Sequence, residues 1–249
     1  MPARSIVRDL ETIPRADFIA HYWDHQPDNH MTIVGPSRCG KSRLVWDLLD
    51  VTATPQLPAL YLLKKPKDEL ILTRARAAGF RRTETWPAPM LRRFQSKPPG
   101  WLIHPPTHID IHDPISIDRS NLNKARVFRM ALLESYKRGN RIVVADDAFG
   151  LSKQLGLENE IVELLTESAA MDCGLWLPFQ RAAGVPLAAY SMAVKLILFR
   201  EPDKRGRDRF GEISGVDPDL VRWANMRLKK YQALYIDGSG PFMCVIDRS

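Results

Sequence analysis

The chain has 249 residues, of which 45% are hydrophobic and 26% are charged, and its net charge is +7. This is the composition of an ordinary soluble globular protein, long enough for one large α/β domain. No apolar run is long enough to span a membrane and the N-terminus has no apolar signal core, so we expect a cytoplasmic protein. The three widely spaced cysteines form no C-x-x-C pair, which argues against a zinc site or a disulfide framework. The basic charge suits a polyanionic partner such as nucleic acid.

The first core strand leads into a glycine-rich loop. Residues 1–29 are mixed and polar, with a short helix predicted over 15–22, and the apolar run 31–34 predicts a buried strand. Gly35 to Ser42 then fit G-x-x-x-x-G-K-[ST], the phosphate-binding loop of nucleoside triphosphatases. Apolar residues at helical spacing after Arg43 predict the helix that this motif requires.

This loop predicts a nucleotide and a metal. Its glycines let successive backbone N–H groups point at one phosphate, while Lys41 reaches the β- and γ-phosphates as a point charge. The hydroxyl of Ser42 is the expected protein ligand of Mg²⁺. We therefore expect ATP and Mg²⁺ as cofactors, with the nucleotide bound by Gly35, Pro36, Ser37, Arg38, Cys39, Gly40, Lys41, Ser42 and Arg43.

The middle of the chain is less regular because prolines interrupt residues 82–118. Before it we predict a strand over 59–63 and a helix that ends near Gly79. Within it we predict short strands over 101–104 and 108–111.

Three histidines in this region, His104, His108 and His112, have a spacing that would suit a metal site on a helix. Pro105 and Pro106 forbid a helix there, so we interpret these residues as loop and strand histidines. A helix over 121–138, with Ser120 as its N-cap, follows.

A second chemical motif ends the next strand. The apolar run from Arg141 predicts a strand buried on both faces, and it ends in Asp146 and Asp147. Two carboxylates there are costly unless they meet a cation. Because a phosphate loop precedes them, we assign Asp146 to Mg²⁺ and Asp147 to the attacking water.

Gln180 ends the following predicted strand, over 175–179. An amide at this position can bridge a phosphate oxygen and the attacking water, although a polar residue also simply closes many strands. Beyond it, a helix over 217–229 and two strands over 232–236 and 242–246 are predicted. The turn between those strands, over 237–240, predicts a C-terminal β-hairpin.

The order of these pieces resembles the FtsK–HerA superfamily of DNA-pumping ATPases, and its layout is most similar to the compact packaging ATPases of poxvirus-type and membrane-containing viruses. The resemblance is carried by residues 30–42, 143–147, 179–181 and 194–200, the last of which is a strand ending in Phe-Arg. It implies a three-layer α/β P-loop NTPase fold of the ASCE/RecA-like type. In that fold a central, mostly parallel sheet has an additional strand between the two Walker strands. We accordingly expect an N-terminal extension over 1–27 and a motor domain over 28–249.

The same resemblance implies the partners. It implies a homo-oligomeric ring, a hexamer, with ATP between subunits and double-stranded DNA, bound without regard to sequence, through the centre. A capsid portal or a conjugation apparatus would be a further partner. The location implied is the host cytoplasm or the virion.

Two features depart from the family pattern. Asp147 is one methylene shorter than the usual Glu, which puts its activation of water in doubt. The arginine that often precedes the Gln strand is absent from 168–174, so an arginine acting on the neighbouring subunit's ATP must lie elsewhere. The candidates are Arg181, Arg200, Arg205, Arg207 and Arg209. The basic loop 204–209 could equally be a solvated turn or a contact to DNA phosphates.

The first functional hypothesis is an ATPase, converting ATP and water to ADP and phosphate, coupled to translocation of double-stranded DNA. A viral or phage genome-packaging motor, or a relative from a mobile element, fits best. Its catalytic residues are predicted as Lys41, Asp147, Gln180, Arg181 and Arg200, with Ser42 and Asp146 on the metal. The alternatives are a P-loop phosphotransferase for a nucleoside or small molecule, with 201–209 as its lid, and a slow NTP-binding regulatory switch.

Overall fold

One mixed sheet forms the centre of the molecule. The computed structural model describes residues 10–65, 67–91, 95–213, 215–240 and 242–248. Within these ranges the strands are β1 (Thr12–Pro14), β2 (Met31–Val34), β3 (Ala59–Leu62), β4 (Arg81–Thr83), β5 (Gly100–Ile103), β6 (Arg141–Ala145), β7 (Cys173–Phe179), β8 (Lys195–Phe199), β9 (Ala233–Asp237) and β10 (Phe242–Asp247). They are hydrogen-bonded in the order β1-β10-β9-β8-β2-β7-β6-β3-β5-β4.

Helices cover both faces of this sheet. They are α1 (Arg15–His21), α2 (Lys41–Thr52), α3 (Glu69–Ala77), α4 (Ser116–Arg138), α5 (Glu158–Glu167), α6 (Leu187–Ser191), α7 (Lys204–Asp208) and α8 (Pro218–Arg227). Side chains from α1 to α3 pack in one apolar cluster, and those from α4, α5, α6 and α8 pack in another. The predicted three-layer α/β architecture is confirmed. Across the described ranges, no helix combines the length and the apolar character needed to cross a membrane.

The seven strands from β2 to β8 in the chain are parallel to one another, whereas β9 is antiparallel to both β8 and β10. The predicted C-terminal hairpin is thus formed by β9 and β10. Strand β7 lies between β2 and β6, the strands that carry the phosphate loop and the paired acids. The additional strand implied by the family resemblance is therefore present, and three parallel strands bring their carboxyl ends to one edge.

Both faces of the central strands are buried, which accounts for their continuous apolar sequences. In β6, Ile142 and Val144 join the cluster on one face, and Val143 and Ala145 join the cluster on the other. Charged side chains consequently occur only where these strands begin or end. The Thr32 hydroxyl, which lies within β2, is satisfied by donating to the Ala189 carbonyl.

The region before α4 differs from prediction. Helix α4 begins at Ser116, so Ser120 lies within it and is not its N-cap; its hydroxyl donates to the Ser116 carbonyl, at 3.0 Å. The predicted strand over 108–111 is absent from this described segment. Asp110 and Asp113 instead accept hydrogen bonds from backbone N–H groups two residues ahead, at 2.9 and 3.2 Å. Such Asx turns favour a compact loop over a strand.

Residues 10–27 pack against the sheet. Ile13 in β1 lies opposite Ile246 in β10, and these strands run parallel. Phe18 in α1 is fully buried, with its ring centroid 4.8 Å from that of Tyr235 in β9. Residues 1–9 lie outside the described ranges, and the division between an extension over 1–27 and a motor domain over 28–249 stays a prediction.

The buried ring of Phe18 gives a test of this packing. We expect Phe18→Ala to lower the free energy of unfolding by about 3–5 kcal/mol, because it leaves a cavity against the sheet. Met90→Ala, at a side chain that is 97% exposed, is the control and should change it by less than about 0.5 kcal/mol. Denaturant unfolding followed by circular dichroism measures both. Equal effects of the two substitutions would show that α1 contributes nothing to the core.

Candidate active site

The carboxyl ends of β2, β6 and β7 open onto a cleft of about 430 Å³. Most of the predicted site residues line it: Ser37, Arg38, Gly40, Lys41, Ser42, Arg43, Asp146, Asp147 and Gln180. Gly35, Pro36 and Cys39 belong to the same loop but do not line this cleft. The structure therefore brings together the two motifs and the glutamine, which are far apart in the sequence.

The phosphate loop requires its glycines for steric reasons. Gly40 has φ +107°, a left-handed conformation that favours glycine, and the next residue begins α2. At Gly35 a side chain would bring its Cβ to 2.5 Å from the Cβ of Phe199. The first glycine thus lets the loop pass the neighbouring strand β8, and the second lets it turn into the helix.

Lys41 is turned back onto its own loop. Its Nζ donates to the carbonyl oxygens of Gly35 and, at 2.7 Å, of Pro36. Burial lowers the pKa of this ammonium, with the neighbouring Cys39 opposing the shift. The lysine is therefore held at the floor of the loop, where an anionic group would be a stronger partner than neutral carbonyls.

Asp146 is a buried carboxylate with one oxygen that has no hydrogen-bond donor. Its side chain is almost wholly buried, and its Oδ1 accepts from the Tyr61 hydroxyl at 3.1 Å. Its Oδ2 is buried without a hydrogen bond, and the Nζ of Lys65 lies 3.5 Å from it. Burial raises the pKa of Asp146, and the charge of Lys65 opposes this. A buried carboxylate oxygen that accepts no hydrogen bond suits a hard cation, so Asp146 and the nearby Ser42 fit Mg²⁺.

Asp147 lies two residues beyond β6 in a strained conformation. Its φ of +58° is left-handed, which non-glycine residues adopt rarely. One carboxylate oxygen lies 3.8 Å from the Nζ of Lys64, and the other accepts from the Gln180 amide at 3.5 Å. Gly150 makes room for this arrangement, since a Cβ there would overlap the Asp147 carboxylate. Strain of this kind is typical of functional sites.

Gln180 connects the phosphate loop to Asp147. Its amide nitrogen faces the Asp147 carboxylate, and its amide oxygen accepts from the Ser37 hydroxyl at 3.4 Å. Both bonds are long, and the side chain is exposed, so they are weak and readily exchanged. This is the location that the sequence predicted for an amide that contacts both phosphate and water.

Three contributors from β3 and the residues just after it were missed by the sequence analysis. Tyr61 in β3, and Lys64 and Lys65 beyond it, reach Asp146 and Asp147 because β3 is hydrogen-bonded to β6. Lys64 also donates to Gln154, in the π-helical turn Gly150–Gln154. The signal available was a pair of lysines directly after a buried strand.

The candidate arginines do not reach the cleft within this chain. Arg181 and Arg200 are exposed and lie beside two neighbouring cavities. The stretch 204–209 forms α7 and the start of a following 3₁₀ turn rather than a loop. In it Arg207 donates to two backbone carbonyls, and Arg209 donates to the Val185 carbonyl and pairs with Glu212. Arg205 is exposed, without a hydrogen bond or ion pair to any residue that the structure describes. Their predicted roles stay predictions.

The oxygen of Asp146 that accepts no hydrogen bond predicts a metal dependence. Burial raises the pKa of Asp146 in the folded state above its value in the unfolded chain. Such a carboxyl lowers the stability of the folded state as the pH rises past the unfolded-state pKa, because the charged form is disfavoured by burial. At about pH 7 Asp146 should therefore destabilise the unliganded protein. We expect Asp146→Asn without ligand to melt at or above the wild-type temperature. ATP with Mg²⁺ should raise the wild-type melting temperature by several degrees more than ATP with EDTA, whereas the variant should lose this difference. Thermal unfolding measures both, and Asp17→Asn in α1 is the control.

An Asp146→Asn variant that kept the full Mg²⁺-dependent shift would contradict the assignment of this carboxylate to the metal. A wild-type protein with the same shift in EDTA would do so as well.

No protein-family model matches the sequence, and no curated protein matches it. Solved structures do match. The DNA-packaging ATPase B204 of Sulfolobus turreted icosahedral virus aligns over 90% of this chain and 100% of its own, with a TM-score of 0.59 and 17% identity. B204 of Sulfolobus turreted icosahedral virus 2, in complex with AMPPCP, aligns over the same shares with a TM-score of 0.61 and 18% identity. VirB4 of Thermoanaerobacter pseudethanolicus aligns over 88% of each chain, with a TM-score of 0.59 and 9% identity.

At these identities the likeness establishes the fold. The chain has the α/β fold of P-loop ATPases, with the layout of compact viral packaging ATPases that the sequence predicted.

Proposed function

We propose that the chain is an ATP-hydrolysing motor that moves double-stranded DNA, in genome packaging by a virus or phage or in a related mobile element. One observation carries the proposal. Beside a phosphate loop, the cleft holds a buried carboxylate with an oxygen that accepts no hydrogen bond, next to a second carboxylate and an amide. Together these groups supply an anion cradle, a cation site and a means to orient water.

The proposal of nucleotide binding rests on the phosphate loop. Its backbone N–H groups and Lys41 would hold the triphosphate, and Ser42 and Asp146 would hold Mg²⁺. The metal would neutralise charge on the phosphate oxygens. The B204 structures of Sulfolobus turreted icosahedral virus 2 with AMPPCP and with ATP-gammaS support nucleotide binding in a protein of this fold.

The hydrolytic part rests on Asp147 and Gln180. Their facing side chains would orient the attacking water, with the Asp147 carboxylate as proton acceptor. Lys64 keeps this carboxylate beside the amide, and so acts as a positioning residue. The shorter side chain of Asp147 places its oxygens closer to β6 than those of a glutamate would be, and the contacts from Lys64 and Gln180 define where they point.

The DNA-moving part rests on the likeness to B204, which is a DNA-packaging ATPase, and on the net charge of +7. Contacts of lysine and arginine with phosphates would grip DNA without reading its sequence. A homo-oligomeric ring, a hexamer, would bring an arginine from a neighbouring subunit to the cleft. The exposed Arg181, Arg200 and Arg205 are the candidates, since Arg207 and Arg209 are bound within their own chain. A capsid portal would be the partner in packaging.

The alternative of a phosphotransferase receives less support. It needs a mobile, arginine-rich lid, and 201–209 was the segment predicted for this. Arg209 instead binds the carbonyl of Val185 and so fixes the segment to the body of the protein. Arg207 binds the carbonyls of Glu201 and Pro202 within the segment itself, so two of its three arginines are already engaged.

The contact between Lys64 and Asp147 predicts a split in kinetic effects. We expect Lys64→Met to lower kcat for ATP hydrolysis about tenfold with KM changed less than about twofold, because the water-orienting carboxylate loses a tether but the phosphate loop is untouched. Lys67→Met is the matched control, because Lys67 pairs with Glu69 at the surface, and should leave both constants unchanged. Steady-state kinetics measure them. A raised KM with unchanged kcat would assign Lys64 to nucleotide binding instead.

DNA dependence tests the proposal as a whole. Linear duplex DNA should raise the ATPase rate several-fold, and added salt should weaken this stimulation because phosphate contacts release counterions. Lys41→Ala should abolish both the basal and the stimulated rates. The solution mass should be a multiple of 28.4 kDa. A monomer indifferent to DNA, or one that phosphorylates a nucleoside without DNA, would overturn the proposal.

A further inference from the structure

Tyr231 and Arg248 line the cleft but have no part in the hydrolytic arrangement. We infer that they form a subsite that binds the base of a nucleoside triphosphate by stacking, so that ATP and GTP are accepted alike. This inference rests on the proposed nucleotide-binding function and deepens it by naming the substrate class.

Sheet topology places this pair on the flank of the loop opposite the acids. β7 and β6 lie on one side of β2, whereas β8, β9 and β10 lie on the other. Tyr231 precedes β9, and Arg248 follows β10. Because β9 is antiparallel to β8 and β10 turns back, both residues lie at the edge where β2 ends in the loop. A triphosphate whose terminal phosphate faces Asp146 and Asp147 would direct its base to this flank.

Tyr231 is held in a conformation that bulky residues avoid. Its φ is +71°, a true outlier for an aromatic residue. Gln232 fixes the turn: its backbone N–H donates to the Lys229 carbonyl, its side-chain oxygen accepts from the Lys229 N–H, and its amide donates to Asp247 in β10. The strain therefore has a structural source and aims the ring at the phosphate loop, where Cδ1 lies 3.6 Å from the position of a Cβ on Gly40.

The ring is paired with a planar cation. The guanidinium carbon of Arg248 lies 4.8 Å from the centroid of the Tyr231 ring. An aromatic face and a guanidinium plane are both surfaces on which bases stack. The pair thus offers a nucleobase the contacts that it requires, at the wall of the cleft that holds the phosphates.

The same flank offers little to distinguish one purine from the other. The described side chains from β1, β9 and β10, and from the residues just beyond these strands, that line the cleft are those of Arg15, Tyr231 and Arg248. Arginines donate hydrogen bonds but accept none, and Arg15 is engaged with Asp47 at 3.0 Å. The exocyclic amine of adenine therefore finds no carboxylate or amide acceptor among them. Stacking itself is tolerant of base identity, because every base has a π-face.

Binding calorimetry with Mg²⁺ tests the subsite without hydrolysis. The ligands are non-hydrolysable analogues of ATP and GTP, and inorganic tripolyphosphate as a ligand without a base. Tyr231→Asn removes the ring but keeps a residue that tolerates the left-handed conformation, and Tyr231→Phe keeps the ring. We expect the wild type to bind both analogues within about threefold of each other, and Tyr231→Asn to bind both about tenfold or more weakly. Tripolyphosphate should bind wild type and variant equally, and Tyr231→Phe should match the wild type.

Arg248→Ala gives a second measurement at an exposed position near the C-terminus, should Tyr231→Asn fail to fold. It should weaken both analogues about threefold or more and leave tripolyphosphate unaffected. If the variants lost as much affinity for tripolyphosphate as for the nucleotides, Tyr231 and Arg248 would only support the phosphate loop and would not bind the base. If the variants kept the wild-type affinity for both nucleotides, the base would bind elsewhere. Either result would overturn the subsite. A preference above about thirtyfold for one purine would overturn recognition by stacking alone.

These outcomes separate the subsite from the proposed function. A wild-type protein that bound neither tripolyphosphate nor nucleotides would overturn both. Loss of DNA stimulation with intact binding would overturn only the motor.

Discussion

A parallel sheet that is buried on both faces can carry charged side chains only where its strands end, and the rest of this molecule follows from that constraint. The interior of β2, β6 and β7 carries no charged side chain, so the phosphate loop, the paired acids and the glutamine all lie beyond the last strand residues. Parallel pairing then gathers these ends at one edge. A site assembled from residues 35 to 180 is therefore a direct result of how the sheet is covered.

The same constraint explains why the site is built from unfavourable local states. Asp146 is ionisable yet buried, with a neighbouring lysine as partial compensation. Asp147 and Tyr231 adopt left-handed conformations that cost about 1–3 kcal/mol each. Two well-packed apolar clusters, one on each face of the sheet, supply the stability that allows these states to persist. The apolar clusters on the two faces of the sheet thus stabilise the protein, and the strained residues lie at the edge where the parallel strands end.

Features that are local in the chain could be predicted from the sequence. The strand–loop–helix around Lys41, the strand that ends in Asp146 and Asp147, and the C-terminal hairpin each have a pattern within about a dozen residues. Their convergence could also be predicted, since parallel strands share an edge. The roles of Lys64 and Tyr231 could not, because they depend on which strands are neighbours. Ser120 was misjudged because α4 begins at Ser116, a turn before its apolar pattern starts, and no side-chain cap marks that beginning.

Lys41 makes bonds to two carbonyls of its own loop, and under the proposed function these bonds would have a consequence for turnover. A nucleotide would have to displace them to reach the ammonium, so binding would be an exchange of partners in which the loop competes with its ligand. This competition would weaken affinity for any anion, and a short anion would have few other contacts to offset it. Once a bond between phosphates was broken, the lysine would have an alternative partner within reach, so the loop itself would favour release of the products.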